Sequence, residues 1–265
     1  MRESAQEIWD TASPYERYVG RWSRSIARDF LAWLALPSGL TWADVGCGTG
    51  ALVANILSQA EPASVLASDR SEAFLAEAQR TVTDPRVRFE IANATELPWA
   101  SAACDATVAG LVLNFVPDAA AMVREMVRVT RPNGRVAAYV WDYAGGMRMM
   151  RHFWDAALEV CPEDRALDQA ERFPLCQPEP LTTLFRTAGL RLVSVRAIEI
   201  PTVFRDFDDY WTPFLGKQGA APTYLAALDS ERHERIREVL QARLVPSADG
   251  SIALVAKAWG VQGTV

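Results

Sequence analysis

From residue 41 onward, apolar runs of strand length alternate with segments of helical periodicity, and this alternation restricts the possible folds most strongly. The alternating segments are residues 41–45, 51–59, 64–68, 72–82, 87–91, 105–113, 119–130 and 135–141. Strands that alternate with helices form a parallel sheet with helical crossovers. The run at 135–141 is almost entirely apolar, which predicts a strand that is buried on both faces. The sequence therefore predicts an α/β fold with a mostly parallel sheet.

The flanks of this region follow other patterns. Residues 14–35 place apolar and aromatic side chains at three- and four-residue steps, which predicts an amphipathic helix that ends at Pro37 and Gly39. Beyond Asp142 the alternation stops, and a helix rich in methionine and aromatic residues is expected from Met147. The remaining predicted elements are a helix at 181–188, a strand at 190–200, helices within 206–244 and a last strand at 251–259.

Composition argues against several functional classes. The 265 residues include 27 Lys and Arg against 33 Asp and Glu, and no basic stripe of the kind that nucleic-acid binding needs. The four cysteines, at positions 47, 104, 161 and 176, show no C-x-x-C spacing, so neither a metal site nor a disulfide framework is expected. No apolar run reaches the roughly 18 residues of a membrane span, and the N-terminus lacks a signal-peptide core. We expect one cytoplasmic domain that contacts neither nucleic acid nor membrane.

A glycine-rich turn with an acidic neighbour follows the first predicted strand, at residues 44–50. Gly46, Gly48 and Gly50 allow positive φ and let the backbone approach a ligand closely. Asp44 lies two residues before the first glycine, where its carboxylate would repel a pyrophosphate held by the following helix. An ammonium or sulfonium group is the better partner, since opposite charges attract strongly in a partly desolvated cleft.

These residues resemble the first motif of class I S-adenosylmethionine-dependent methyltransferases, and four further motifs follow in the family's order. Asp69 ends the second strand, where the family's acidic residue accepts hydrogen bonds from the ribose hydroxyls. Residues 92–99 resemble the adenine-binding segment, residues 113–117 resemble the end of the strand that faces the methyl group, and residues 131–135 resemble the turn before the fifth strand. The resemblance covers residues 37–142, and the flanks resemble those of family members that act on small molecules.

The resemblance implies a doubly wound, Rossmann-like fold. Its sheet has seven mostly parallel strands in the order 3-2-1-4-5-7-6, the last strand is antiparallel, and helical insertions form a lid. In this scheme the single domain 1–265 comprises an N-terminal helical lid at 1–36, a cofactor-binding core at 37–142, lid or substrate insertions with strand six at 143–250, and a final strand at 251–260.

The function implied is methyl transfer from S-adenosylmethionine to a small-molecule acceptor by in-line displacement, with S-adenosylhomocysteine as product. Asp44 would hold the methionine end, Asp69 the ribose, and Asn93 with the backbone after it the adenine. The expected cofactor-binding residues are Tyr18, Trp22, Asp44, Gly46, Cys47, Gly48, Gly50, Asp69, Arg70, Asn93, Ala94, Thr95, Leu111 and Asn114.

Two positions depart from the family pattern. Asn93 stands where the family usually has aspartate, so the adenine amine would meet a neutral rather than a charge-assisted acceptor. Arg70 stands where an apolar side chain often packs on the adenine, although a guanidinium plane can also stack on an aromatic face.

Catalytic and acceptor-binding candidates lie outside the glycine motif. Asp142 and Tyr143 follow the fifth strand, and His152 in the next helix is a candidate general base. Helix capping by Asp142 and simple packing of His152 are the structural alternatives. The aromatic candidates for an acceptor pocket, which core packing would equally explain, are Tyr15, Trp141, Trp154, Trp211 and Phe214.

Two other functions stay open. Gly46, Gly48 and Ala51 also satisfy a G-x-G-x-x-A pattern, which would suit an NAD(P)-dependent oxidoreductase, but Asp44 and the ordered downstream motifs count against it. The second alternative is a non-catalytic protein that binds S-adenosylmethionine without turnover.

Overall fold

The computed structural model describes residues 20–216 and 219–265. Its strands are β1 (Thr41–Val45), β2 (Ser64–Asp69), β3 (Val87–Ile91), β4 (Cys104–Gly110), β5 (Thr130–Trp141), β6 (Arg191–Phe204) and β7 (Ile252–Thr264). They form one sheet in the order β3-β2-β1-β4-β5-β7-β6, with helices on both sides. The predicted strand order and doubly wound fold are therefore confirmed.

One helix precedes β1, and the others occupy the crossovers and the segments after β5. They are α1 (Arg21–Leu34), α2 (Ala51–Gln59), α3 (Glu72–Thr81), α4 (Ala119–Val129), α5 (Arg148–Val160), α6 (Gln169–Arg172), α7 (Pro178–Thr187), α8 (Phe207–Trp211), α9 (Ala220–Ala226) and α10 (Ser230–Arg243). Side-chain caps begin α3 and α4: Ser71 Oγ accepts from the Phe74 N–H at 3.3 Å, and Asp118 Oδ1 accepts from the Ala121 N–H at 2.8 Å. Residues 14–19 of the predicted first helix, which include Tyr15 and Tyr18, lie outside the described residues.

The first four strands pair in parallel, which brings their carboxyl ends to one edge. Along β1 and β2 the register runs from Thr41 beside Ser64 to Val45 beside Ser68. On the other side of β1, Asp44 lies beside Val108 of β4. Ligands of open α/β sheets bind at the carboxyl ends of such strands.

The last strand is antiparallel to β5, as predicted. At one end the Asn133 N–H donates to Val265 O at 3.0 Å, and at the other the Asp142 N–H donates to Lys257 O at 2.9 Å. Residue numbers therefore fall along one strand as they rise along the other. The strand continues to Thr264, beyond the predicted end at 259.

The boundaries of the fourth and fifth strands also differ from the predictions. The fourth strand ends at Gly110 instead of reaching 113, because Leu111 takes a positive φ of 59° and a 3₁₀ turn follows at Leu113–Phe115. The fifth strand begins at Thr130, and the predicted turn at 131–135 is an irregularity in its pairing, in which Asn133 has a φ of 65°.

The chain divides into two compact units. The core unit comprises Ser23–Val140, Leu175–Ile198 and Ala258–Val265, and the accessory unit comprises residues 20–22, Trp141–Pro174 and Glu199–Lys257. The single domain of 1–265, with its lid and core segments, stays a prediction.

Each unit has its own packed interior. In the core unit, Phe30 of α1 is fully buried and its ring lies 4.6 Å from that of Tyr139 on β5. In the accessory unit, Phe153 stacks on Phe214 at 4.7 Å between ring centroids, and the Tyr210 hydroxyl donates to Met149 O at 2.8 Å. Aromatic pairs of this kind stabilise an interior beyond the area that they bury.

Candidate functional site

The glycine turn after β1 adopts the left-handed conformations that its sequence predicts. Gly46, Gly48 and Gly50 have φ angles of 74°, 54° and 87°. A Cβ on Gly46 would lie 2.7 Å from a methyl carbon of Val112, whereas a Cβ on Gly48 would meet nothing within 4 Å. Gly46 is therefore required by packing within the protein, and Gly48 leaves open space at the backbone, where a ligand can approach.

The end of β2 holds this turn in place. The carbonyl oxygen of Ser68 accepts from the Gly46 and Cys47 N–H groups at 2.8 and 2.9 Å. The Asp69 carboxylate accepts from the Gly48 N–H and the Ser71 N–H, both at 2.9 Å. Asp69 thus joins the glycine turn to the start of α3, and each of its oxygens keeps a second lone pair for a ligand.

Asp44 is a fully buried carboxylic acid at the carboxyl end of β1. Neither of its oxygens finds a hydrogen-bond partner among the described residues. Burial, together with the negative charge of Asp69, raises the pKa of Asp44 to about 8. A buried carboxyl group without a partner is costly and calls for a positively charged or donor group.

Two more polar groups at these strand ends are buried without a partner among the described residues. They are the Ser68 hydroxyl on β2 and the Asn114 amide nitrogen on the 3₁₀ turn after β4. Leu111 precedes that turn with its positive φ, a conformation that costs a residue with a side chain of order 1 kcal/mol. Three adjacent strands therefore end in polar groups that can serve a ligand.

The segment after β3 forms a tight turn beside the end of β2. The Ala92 N–H donates to Asp69 O at 3.1 Å, and Asn93 Oδ1 accepts from the Thr95 N–H at 3.2 Å. Asn93 and the neighbouring Arg70 are both exposed. The structure therefore brings Asn93, Ala94 and Thr95 to the same end of the sheet as Asp69, and the predicted roles of these residues stay predictions.

The thiol of Cys47 is buried within the turn. Burial is the largest cause that raises its pKa, and the carboxyl groups of Asp44 and Asp69 raise it further. A thiol held in its protonated form is a poor nucleophile, so Cys47 contributes packing and backbone contacts.

The candidate catalytic residues lie in the accessory unit. Asp142 is buried, its Oδ2 lies 2.7 Å from Lys257 Nζ, and its Oδ1 accepts from the Gly145 N–H at 3.3 Å. His152 is half-buried on α5, and burial is the largest cause that lowers its pKa. Tyr143 is buried with its ring 5.3 Å from that of Phe173. The carboxylate of Asp142 is thus already engaged, whereas His152 is largely neutral near pH 7.

The remaining aromatic candidates described by the structure also belong to the accessory unit. Trp141, Trp154, Trp211 and Phe214 are buried, and Trp154 Nε1 donates to Gln169 Oε1 at 3.2 Å. Trp22 packs edge-on against Phe204, with the ring centroids 5.8 Å apart. These contacts suit the packing alternative, and roles toward a cofactor or acceptor stay predictions.

Several residues of the site carry no recognisable sequence signal. Val112 packs so close to residue 46 that only glycine fits there. Ser68 supplies a carbonyl group to the turn and a buried hydroxyl group. The position of Ser68 directly before Asp69 at a strand end could have drawn attention to it. Lys257, the partner of Asp142, lies on the distant β7, and only the folded chain reveals the pair.

A group of potential metal ligands, Cys161, Glu163 and Asp164, has its ligand atoms within 4.8 Å of one another. Asp164 Oδ2 already accepts from the Tyr224 hydroxyl at 3.0 Å, and Glu163 is exposed. Exposed acidic groups often cluster without binding an ion, so this geometry alone does not assign a metal.

A sheet in this strand order, with a glycine turn after β1 and an acidic residue that ends β2, is the arrangement that the resemblance to class I S-adenosylmethionine-dependent methyltransferases implies. Residues 43–138 match a family model described as a methyltransferase domain. Residues 43–138 therefore correspond to a methyltransferase domain, which supports the resemblance to class I S-adenosylmethionine-dependent methyltransferases.

No helix in the described part of the chain is long and apolar enough to span a membrane.

Curated relatives are similar over part of their length. Trans-aconitate 2-methyltransferase of Variovorax paradoxus is 30% identical over 134 residues, which are 51% of this chain and 50% of the relative. Methyltransferase GfsG of Streptomyces halstedii is 28% identical over 198 residues, which are 71% and 68% of the two chains. The match thus spans about half the length of the trans-aconitate enzyme.

Solved structures share the fold at low identity. The YcgJ protein of Bacillus subtilis superposes with a TM-score of 0.58 at 15% identity, over 91% of this chain and 97% of the other. Phosphoethanolamine N-methyltransferase 2 of Haemonchus contortus, in complex with S-adenosyl-L-methionine, gives a TM-score of 0.57 at 15% identity over 94% and 56%. These likenesses support the fold alone.

Proposed function

We propose that this protein transfers a methyl group from S-adenosylmethionine to a small-molecule acceptor. The observation that carries the proposal is the buried carboxyl group of Asp44 beside a left-handed glycine turn, with no hydrogen-bond partner in the described part of the chain. A site for a dinucleotide pyrophosphate would place two negative charges near this carboxyl group, whereas a methionine ammonium supplies the missing partner.

The residues of the core unit fit this cofactor. Asp44 would pair with the ammonium, the free lone pairs of Asp69 would accept from the ribose hydroxyls, and the turn at Asn93 would contact the adenine. Gly48, with open space at its Cα, would let the backbone approach the methionine portion.

The bound cofactor would supply a methyl group on a sulfonium, which is already activated for transfer. The protein's contribution is then to bind, orient and exclude water, effects worth up to roughly 7–11 kcal/mol when the geometry is good. Neither a metal nor a nucleophilic triad is needed for this role. For an acceptor that must lose a proton, His152 is the better-suited candidate base, because its lowered pKa keeps it neutral at pH 7.

The small-molecule acceptor is supported by the names of the relatives. They include methyltransferases of trans-aconitate, demethylmenaquinone and 27-O-demethylrifamycin SV. The acidic balance of the chain, 33 Asp and Glu against 27 Lys and Arg, also argues against a nucleic-acid acceptor.

Calorimetric binding tests the cofactor half of the proposal. We expect S-adenosylhomocysteine to bind and NADH not to bind. Asp69→Ala should weaken S-adenosylhomocysteine binding by roughly 10- to 100-fold, since hydrogen bonds to a charged group contribute about 1.5–3 kcal/mol. Glu77→Ala is the matched control, because Glu77 is a carboxylate on α3 that pairs with Arg80 at the surface. If NADH binds more tightly than S-adenosylhomocysteine, the alternative function of an NAD(P)-dependent oxidoreductase is favoured.

Transfer of a radiolabelled methyl group to a panel of carboxylic acids, quinols and phenols tests the catalytic half. Product formation that depends on Asp69 supports the proposal. Tight cofactor binding with no transfer across the panel would support the non-catalytic alternative. If the His152→Ala variant keeps the wild-type rate of methyl transfer and its pH profile, His152 is not the general base.

A further inference from the structure

Among the described residues, the surroundings of Asp44 contain acidic groups but no compensating cation. On β2, Asp69 raises the pKa of Asp44 through its negative charge, and in the turn the Cys47 thiol is the other titratable neighbour. On β4, the paired residues 106–108 carry no titratable side chain, and α2 contains none along its whole length. The nearby helix α3 carries Glu77 and Arg80, which pair with each other at the surface.

This arrangement favours the protonated acid in the protein without ligand. Removal of a carboxylate from water disfavours its charged form, and a second carboxylate nearby disfavours it further. Both effects act on Asp44, which has no hydrogen-bond donor among the described residues to offset them. An ammonium group that arrives beside the acid reverses the balance, because an opposite charge at close range favours the ionised form.

We propose that Asp44 gives up its proton to the solvent when the methionine ammonium of the cofactor binds, so that cofactor loading releases one proton. The O–H bond of the carboxyl group breaks, the proton passes to the buffer, and the resulting carboxylate pairs with the ammonium. This inference rests on the proposed cofactor site and adds that Asp44 recognises the charge of the ligand through a change in its own protonation.

Proton release is measured by titration calorimetry of the wild-type protein with S-adenosylhomocysteine at pH 6.5, in phosphate and in imidazole buffer of equal ionic strength. The heat of binding should differ between the buffers by their difference in ionisation heat, with a stoichiometry close to one proton released. The α-amino group of a free amino acid is more basic than a peptide N-terminus, whose pKa is roughly 7.7–8.0, so the ligand is already protonated at pH 6.5 and contributes little.

A matched ligand separates Asp44 from other sources of protons. 5′-Methylthioadenosine has the adenine and ribose but no amino-acid portion, so it should bind without proton release. The Asp44→Asn variant should bind S-adenosylhomocysteine more weakly than wild type and also release no proton. The Glu77→Ala variant should release as many protons as wild type.

The pH dependence of affinity gives a second readout. Below the pKa of the acid, each unit of pH adds a tenfold cost of deprotonation, so the wild-type Kd for S-adenosylhomocysteine should weaken about tenfold from pH 7 to pH 6. The Kd of 5′-methylthioadenosine with the same protein should stay nearly constant, a comparison that needs no variant.

The outcomes separate this inference from the proposed function. If S-adenosylhomocysteine binds with no proton exchange and with a Kd independent of pH, the inference is wrong and the cofactor assignment stands. Equal proton release with 5′-methylthioadenosine would assign the proton to another group and also overturn the inference. Failure of S-adenosylhomocysteine to bind at any pH would overturn the proposed function itself.

Discussion

Gly46 and Gly48 lie in one turn but have different surroundings. A side chain at Gly46 would clash with the protein, whereas a side chain at Gly48 would occupy the space where a ligand can approach. Gly48→Ala adds a methyl group to open space at a φ of 54°, so its folding cost is confined to left-handed strain of roughly 1 kcal/mol. We expect Gly48→Ala to weaken S-adenosylhomocysteine binding by more than it lowers the stability of the fold, with the affinity measured by calorimetry. Gly39→Ala is the control. Gly39 has a φ of 76° and equally open space, but it precedes the start of β1 and so lies away from the carboxyl ends of the strands. Equal affinity losses in the two variants would contradict the assignment.

Gly46→Ala should instead lower stability. The new methyl group would lie within 3 Å of Val112 and would require a φ near 74°, which together should reduce the free energy of unfolding by about 2–4 kcal/mol. Denaturant titration measures the loss. Because the clash is with Val112, adding Val112→Ala should recover part of it, and a double variant no more stable than the single one would argue against this contact.

The Asp44 side chain should make stability depend on pH in a specific direction. Its folded pKa of about 8 lies above the roughly 3.9 of an unfolded aspartate, so between these values the folded protein holds the extra proton. The free energy of unfolding should therefore fall as pH rises from about 4 to about 8, by at most about 6 kcal/mol. Asp44→Asn should flatten this slope in denaturant titrations at pH 5, 6.5 and 8, and an unchanged slope would contradict the prediction.

At the scale of elements, the ion pair between Asp142 and Lys257 joins the end of β5 to β7 within the accessory unit. Asp142 is buried, so Lys257→Met would leave its charge without that partner and should cost about 3 kcal/mol. Asp142→Asn combined with Lys257→Met removes both charges and should be more stable than the single Lys257 variant. Thermal unfolding measures both, and additive losses would show that the two side chains act independently.

At the scale of the whole molecule, the parallel register predicts that cofactor contacts from distant segments appear together. Hydrogen exchange with and without S-adenosylhomocysteine should slow at residues 46–50, 69–71 and 92–95, because these segments follow three adjacent strands. Helix α7, in the same unit but remote in sequence from those ends, serves as the internal control. Protection confined to one segment would contradict a shared site.

How far the sequence predicts the site depends on whether an interaction is local. The glycine turn and its left-handed φ angles arise within a few residues, so pattern and residue type were enough. The predicted end of β4 lies three residues beyond the observed one, because an apolar run does not reveal that Leu111 adopts a positive φ. The pair of Val112 with Gly46 depends on two segments meeting, which no local pattern encodes.

The sequence by itself predicted a mostly parallel α/β sheet and the turn that approaches the ligand, because these follow from alternation and glycine spacing. The order of the strands and the class of cofactor were implied by the resemblance of its ordered motifs to a known family. Only the tertiary structure decided that Asp44 is buried beside Asp69 with no hydrogen-bond donor from residues 20–216 and 219–265, and that Asp142 pairs with Lys257. The physical reason is that burial and charge neighbours come from packing between distant segments, and these set whether a carboxyl group carries a proton or a charge.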